Sequence, residues 1–307
     1  MDRVIEKPDY LTPFAADLHL RGRAESTVQG YVQQVGWFLD YLQKLDRPVL
    51  GANKEDLLGF LAYLRGKKYK QASLAHVFAA LSAFYDYLQD SDQVESNPVL
   101  PVVRRYLKTY KAGIDRDERR CISNEELVKL INTKLGSRDK AIIVILAKTG
   151  MRRHEAAALD VSDVDMIEKT IILKPTGKRT NRTLFFDDEA ARILQRWLDT
   201  RAMMGCPERD GPLFTTSTGR LNPKSIYTMM LVHSRRVGVT DMKIGKGNIS
   251  PHYLRIWFTT MLLGAGMSRE YVQALRGDVG GPIDIYNRIQ KEDLRRSYLA
   301  HIPQLGV

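Results

Sequence analysis

Four short stretches of this sequence carry side chains that could act on a phosphate. The first is Thr149-Gly150-Met151-Arg152-Arg153-His154-Glu155. Its glycine reads as the end of one helix, Arg152 opens the next, and Glu155 falls three residues on, on the same helical face. A glutamate so placed can hold the structure around an arginine presented at a helix start; the same spacing also suits an ordinary intrahelical ion pair. The second is Ser250-Pro251-His252-Tyr253-Leu254-Arg255. Serine followed by proline is a helix start, and it puts His252 and Arg255 one turn apart on one face. A helix N-terminus with an arginine fork and a histidine that titrates near neutrality suits an anionic phosphate. The third is KPTGKRTNR, a turn between two β-rich runs, whose Lys178 can reach into a site from a sheet edge or simply face solvent. Lys246, in the glycine-rich IGKGN, competes with it but lacks P-loop spacing. The fourth is Asp284-Ile285-Tyr286-Asn287-Arg288, where Tyr286 is one of 14 tyrosines, most of which must serve packing.

The elements that position these residues are mainly helical. Val28, Tyr31, Val32, Val35, Phe38, Leu39 and Leu42 form one apolar helical stripe, with Ser26 or Thr27 as its expected cap. KEDLLGFLAYLRGK fits a second helix. A third begins near Ser73, carries Leu74, Val77, Leu81, Phe84, Tyr85 and Leu88, and is expected to end at Asn97-Pro98. Ser123 and Glu126 form a capping box, and the apolar run Ala141 to Ala147 lies in a helix that stops at Gly150. KTIILKP and RTLFFD read as a hairpin, after which helices resume.

Length and composition limit the function. With 307 residues, 44% of them hydrophobic, the chain is long enough for two domains and a real core. Its net charge of +11 points to a polyanionic partner. Between Pro101 and Arg120 seven basic residues face three acidic ones, which suits either a solvated linker or a strap across a phosphate backbone. The apolar run at Ala141 to Ala147 is far short of the ~20 residues that span a bilayer, and the N-terminus lacks an apolar signal region. Two cysteines, Cys121 and Cys206, exclude a disulfide framework and a cysteine zinc site. Asp160, Asp163 and Asp165 read as a solvated turn and not as metal ligands. A cytoplasmic, nucleoid-associated protein without metal or cofactor is the expectation.

Taken together and in this order, the stretches resemble the tyrosine recombinase (phage integrase) family, Xer-like and with an archaeal-type integrase flavour. The family's TGLRxxEL is here TGMRRHEA. Its SPHxLRHxFAT is here SPHYLRIWFTT, agreeing at seven of nine specified positions. Its LGHxxxxxTxxYxHV is here LRGDVGGPIDIYNRI. Two departures stand out. Ile256 replaces the usual histidine after LR, and Asp278 stands where the family has His or Trp, sharing its Gly-Asp with some archaeal integrase-like sequences. An ionised aspartate cannot donate to a phosphate, so another group does that work or Asp278 supports the nearby Arg276.

The resemblance implies a mainly α fold with a small β-sheet in the catalytic domain, in a two-domain architecture that clamps DNA. Residues 1–108 would be a helical, SAM-like core-binding domain, 109–120 a basic linker and 121–307 the catalytic domain. With few residues ahead of the helical unit, no arm-binding domain is expected there. Arg152 and Arg255 would clamp the phosphate, with Glu155 in support, and Tyr286 would be the nucleophile. His252 would take the tyrosine's proton, Lys178 would protonate the leaving oxygen, and Arg104, Arg105, Lys108 and Lys111 would meet the DNA backbone. The implied partner is double-stranded DNA with a specific inverted-repeat site, bound by a homotetramer of subunits that are monomers or weak dimers when free. The tail KEDLRRSYLAHIPQLGV, with Leu294, Tyr298, Leu299 and Ile302, is expected to dock on a neighbouring subunit in preference to packing in cis. The competing readings are a type IB topoisomerase and a catalytically impaired DNA-binding module.

Overall fold

The computed structural model describes residues 9–107, 120–175, 179–205, 211–241, 249–277 and 289–307. Lys108, Lys111, Lys178, Cys206, Lys246, Asp278 and Tyr286 lie outside the described residues. The chain divides into two compact units, Met1–Arg116 and Asp117–Val307.

The first unit is helical throughout its described residues: α1 (Leu11–Leu20), α2 (Glu25–Lys44), α3 (Lys54–Gly66), α4 (Gln71–Asp90) and α5 (Val99–Val102), which runs into a π-helical turn at Val103–Leu107. Period-3.6 stripes turn Val28, Val35, Phe38 and Leu42 of α2 and Leu74, Val77, Leu81, Phe84 and Leu88 of α4 inward. Phe14 meets Phe84 edge to face with ring centroids 5.3 Å apart, and Phe60 packs on Phe38 at 5.1 Å. Asn53 caps α3 by accepting from the amides of Glu55 and Asp56 at 2.9 and 3.2 Å, while Asp56 accepts from the amide of Asn53 at 3.0 Å. Two expectations need correction. The cap position of α2 is Ala24, and Ser26 and Thr27 fall inside the first turn. The third helix stops at Asp90, not at Asn97. Asn97 instead ties the following loop back, donating to the carbonyl of Ser82 at 3.0 Å and to Asp86 at 2.7 Å.

The second unit wraps helices around one buried helix. Its helices are α6 (Asn124–Ile131), α7 (Ser137–Thr149), α8 (Arg153–Ala158), α9 (Asp188–Met203), α10 (Pro223–Arg236), α11 (Pro251–Gly264), α12 (Arg269–Arg276) and α13 (Lys291–His301). Ala141 to Thr149 of α7 are all buried, as an all-round apolar helix must be, and α7 packs on α9 and α11. The Ser123–Glu126 capping box opens α6 as its spacing predicts, and Arg120 forks onto Glu126 at 2.6 and 2.8 Å. β2 (Thr170–Ile172) and β3 (Thr183–Phe185) form the expected antiparallel hairpin with Ile171 opposite Leu184, and β1 (Val164–Asp165) extends it to three strands. A second small ribbon, β4 (Thr215–Thr216) with β5 (Gly219–Arg220), carries too few residues for a sequence signal.

The C-terminal tail packs in cis, against expectation. Leu294, Tyr298, Ile302 and Leu305 are buried in the core of their own unit. The Tyr298 hydroxyl donates to the carbonyl of Lys148 at 2.9 Å, and burial holds that phenol well above its ordinary pKa. The amides of Leu305 and Val307 donate to Glu189 at 3.0 and 2.9 Å. Asp160 also departs from the solvated turn expected of it. It pairs with Lys174 and Arg220, while Asp163 closes a capping box on its amide. No helix of the described residues is long and apolar enough to cross a membrane.

Candidate active site

Two helix starts and one helix end build the site. Gly150 ends α7 in the left-handed conformation, at φ 60°, and a Cβ there would lie 2.4 Å from the Phe258 ring. Glycine is therefore required twice over, by conformation and by space. The turn it makes delivers Arg152 as the N-cap residue of α8. Glu155 then reaches back, accepting from the Arg152 amide at 2.6 Å and from its guanidinium at 3.3 Å. The Arg152 side chain is part-exposed and Glu155 is buried, so the carboxylate works as a fixed brace beneath a reachable arginine.

α11 supplies the other helix start. Ser250 takes the cap position and Pro251 the first helical one, as their order predicts. His252 is exposed at this N-terminus, and Arg255, one turn on, is buried. The Arg255 guanidinium donates to the carbonyl of Gly150 at 2.6 Å and to that of Arg276 at 3.1 Å. Tyr253 and Trp257 anchor the helix from behind, through Asp241 at 3.0 Å and Asn124 at 2.9 Å.

Arg152, His252 and Arg255 all line one cleft of about 260 Å³. The residues that sequence reasoning brought forward from two motifs about 100 positions apart are thus neighbours in space. The structure adds others to the same cleft: Arg153, His154 and Tyr227, with the Arg153 guanidinium 5.4 Å from the centre of the Tyr227 ring. Arg153 and His154 stood beside Arg152 in the motif, so their adjacency was a usable signal. Tyr227, on α10, had none.

A buried arginine was also missed. Arg179 donates to both oxygens of Glu155, at 3.2 and 3.0 Å, to the carbonyl of Leu275 at 2.8 Å and to that of Asn181 at 2.6 Å. Asn181 donates to the carbonyl of Ala274 at 3.0 Å, and the Thr180 amide donates to that of Gly277 at 3.1 Å. Gly277, at φ 59°, leaves no room for a Cβ, which would fall 2.7 Å from Cγ of Arg179. Arg179 and Arg255 together thus fill carbonyls that the end of α12 leaves without helical partners. Its position beside Lys178 in a basic turn gave no hint of burial.

Of the expected DNA-backbone residues, Arg104 and Arg105 are exposed on the π-helical turn of the first unit. Half-burial raises the Cys121 thiol above its ordinary value, which is the behaviour of a quiet thiol and not of a nucleophile.

The phage integrase family profile matches residues 122–291, and the N-terminal SAM-like domain of phage integrases matches residues 11–91. Over 281 residues the chain is 28% identical to the tyrosine recombinase XerC of Herpetosiphon aurantiacus, covering 89% of this chain and 87% of that protein. It is 25% identical over 307 residues to the tyrosine recombinase XerA of Pyrococcus horikoshii, covering 95% and 93%. Its fold is similar to that of the Tn1549 transposon integrase in complex with transposon right end DNA, with a TM-score of 0.65 at 18% identity over 94% of this chain and 98% of that one. It is similar also to a lambda integrase dimer bound to a COC′ core site, with a TM-score of 0.67 at 14% identity over 92% and 98%. With one family profile spanning more than half of its length and a second lying ahead of it, the chain belongs to the phage integrase family of tyrosine recombinases.

Proposed function

We propose that this chain is a site-specific DNA recombinase that cuts and rejoins strands through a 3′-phosphotyrosyl intermediate, in DNA integration, excision or dimer resolution. The observation that most supports the reading is the cleft shared by Arg152, His252 and Arg255 at two helix starts. Transferring a phosphoryl group with fixed protein charge requires cations held in place before the reaction begins, and a buried brace such as Glu155 provides that. In the proposed step the Tyr286 hydroxyl oxygen attacks the scissile phosphorus and its proton passes to His252. The bond from phosphorus to the 5′ oxygen breaks, and Lys178 supplies the proton that makes a free 5′ hydroxyl. Arg152 and Arg255 hold the non-bridging oxygens throughout. The phosphotyrosyl bond retains the phosphodiester energy, so the reverse attack reseals the strand without ATP. Neither metal nor cofactor enters the scheme.

The proposed partner is double-stranded DNA with an inverted-repeat site, synapsed by a homotetramer, with Arg104, Arg105, Lys108 and Lys111 on the backbone. Residues 1–108 would act as the core-binding domain, 109–120 as linker and 121–307 as the catalytic domain, working on nucleoid DNA in the cytoplasm. The test is covalent capture. The protein is mixed with sheared DNA from its own source and denatured in detergent. Protein-linked ends are then sequenced, with Tyr286→Phe as control. Ends that depend on Tyr286 and share one inverted repeat are expected. Dispersed Tyr286-dependent ends would point to a topoisomerase. An adduct surviving in Tyr286→Phe would place the nucleophile elsewhere, and binding without any adduct would leave a DNA-binding module.

A further inference from the structure

We infer that Arg179 is a positioning residue for strand cleavage: it sets the register between its own segment, which follows Lys178 directly in the chain, the helix start carrying Arg152, and the end of α12 at Arg276 and Gly277. The inference rests on the function proposed above. Three segments meet on this one side chain. Its own backbone follows Lys178 directly in the chain. Its guanidinium binds both oxygens of Glu155, which in turn holds the amide and guanidinium of Arg152. A further nitrogen binds the carbonyl of Leu275, three residues before Asp278 in the chain, and the Gly277 carbonyl accepts from the Thr180 amide beside it.

Stability alone is a weak reason for this arrangement. Arg179 and Glu155 are almost wholly buried, with 1% and 2% of their side chains accessible. A buried ion pair loses to desolvation much of what it gains in attraction, and well-packed apolar residues often serve the fold as well. What an apolar residue cannot do is fix three backbone segments at once with a planar fork of directed donors. Lys178, Arg152 and Arg255 must converge on one phosphate, and an error of ~1 Å in such a convergence costs about 100-fold in rate. Arg255 reaches the same helix end through Arg276, so a shift there is felt at both arginines.

The test uses the full chain, as Arg179→Met and Arg179→Lys, on a nicked duplex bearing the end sequence that the wild type captures. Single-turnover cleavage is measured at saturating protein, and binding by mobility shift. In both variants half-saturation is expected to stay within about threefold of wild type while cleavage slows about 100-fold. The deficit should shrink by at least about ten-fold when sulfur replaces the bridging 5′ oxygen, because that leaving group needs no proton from Lys178. A wild-type rate in Arg179→Met overturns the assignment. So does a loss that is equal on both substrates and vanishes on cooling well below the variant's melting temperature, since that marks a role in folding only. Should Arg179→Met not fold, Asn181→Ala removes the donation that ties the residues after Arg179 to the carbonyl of Ala274, along with the bond that Asn181 Oδ1 accepts from the Thr183 amide, and a smaller loss of about ten-fold is expected of it; a wild-type rate there overturns the assignment equally. A wild type that captures no DNA through Tyr286 would instead sink the recombinase reading, and this is seen before any Arg179 variant is compared.

Discussion

The interior of the first unit is aromatic and nearly free of charge: among its described residues only Asp56 and Asn97 are buried polar side chains. The second unit buries Lys148, Glu155, Arg179, Glu189, Arg201 and Arg255. Each of these would cost several kcal/mol if left unpaired in a dry interior. The second unit tolerates them because each is surrounded by partners. Lys148 lies at 2.6 Å from Asp187, from Glu189 and from the carbonyl of Pro303. The contrast matches a division of labour. An element that only presents a surface can be held by area alone, whereas a site that must hold charges at fixed points needs an interior of directed bonds.

The sharpest way to break the contrast is Lys148→Met. It keeps the volume but removes the cation paired with two buried carboxylates, Asp187 and Glu189, leaving them the neutral donors of Gln304, Ala190, Leu305 and Val307. A loss of about 3–5 kcal/mol is expected, read as a downward shift of the second unit's calorimetric transition with the first unit's unmoved. An unchanged second transition would mean that the buried charges carry no weight. In the first unit the matching change is Leu81→Ala, a plain cavity, for which about 3 kcal/mol is expected by the same measurement, confined to the first transition. An equal effect on both transitions would deny that the two interiors melt separately. The smallest effect expected is that of acid. The Arg120 hydrogen bonds hold Glu126 below its usual pKa against a smaller opposing effect of burial. Its carboxyl therefore ionises at lower pH folded than unfolded. The stability it contributes is complete above its unfolded value of about 4.3 and drains away as the pH falls through the folded one. The second transition should drop over that range, and Glu126→Gln should flatten that part of the pH curve; an unaltered slope would assign the acid sensitivity to other groups.

The two interiors also differed in how legible they were. Three of the first unit's helices, α2, α3 and α4, could be read from their stripes, which repeat every 3.6 residues. The errors lay at ends: the cap of α2 at Ala24 and the loop after Asp90, where side-chain bonds such as those of Asn97 override pattern. In the second unit the Ser123 capping box, the Gly150 stop and the Ser250-Pro251 start were all visible, being local rules within four residues. The pairing of Lys148 with Asp187 and of Arg179 with Glu155 was not, since these partners lie 39 and 24 residues apart. The tail misled for a related reason. Its apolar spacing announced a surface that must be covered, and spacing does not say by which chain.

The sequence by itself determined the family, the helical class and the hairpin, and it put forward Arg152, His252 and Arg255 as candidates to act on a phosphate. Each of these follows from local chemistry or from motifs in a fixed order. Only the tertiary structure decided that Arg152, His252 and Arg255 share one cleft, that Glu155 serves two arginines, and that the tail closes on Glu189 in cis. The physical reason is that a buried charge is satisfied by whatever partner the fold brings within hydrogen-bond reach. That choice is made by packing across the whole unit and leaves no periodic trace along the chain.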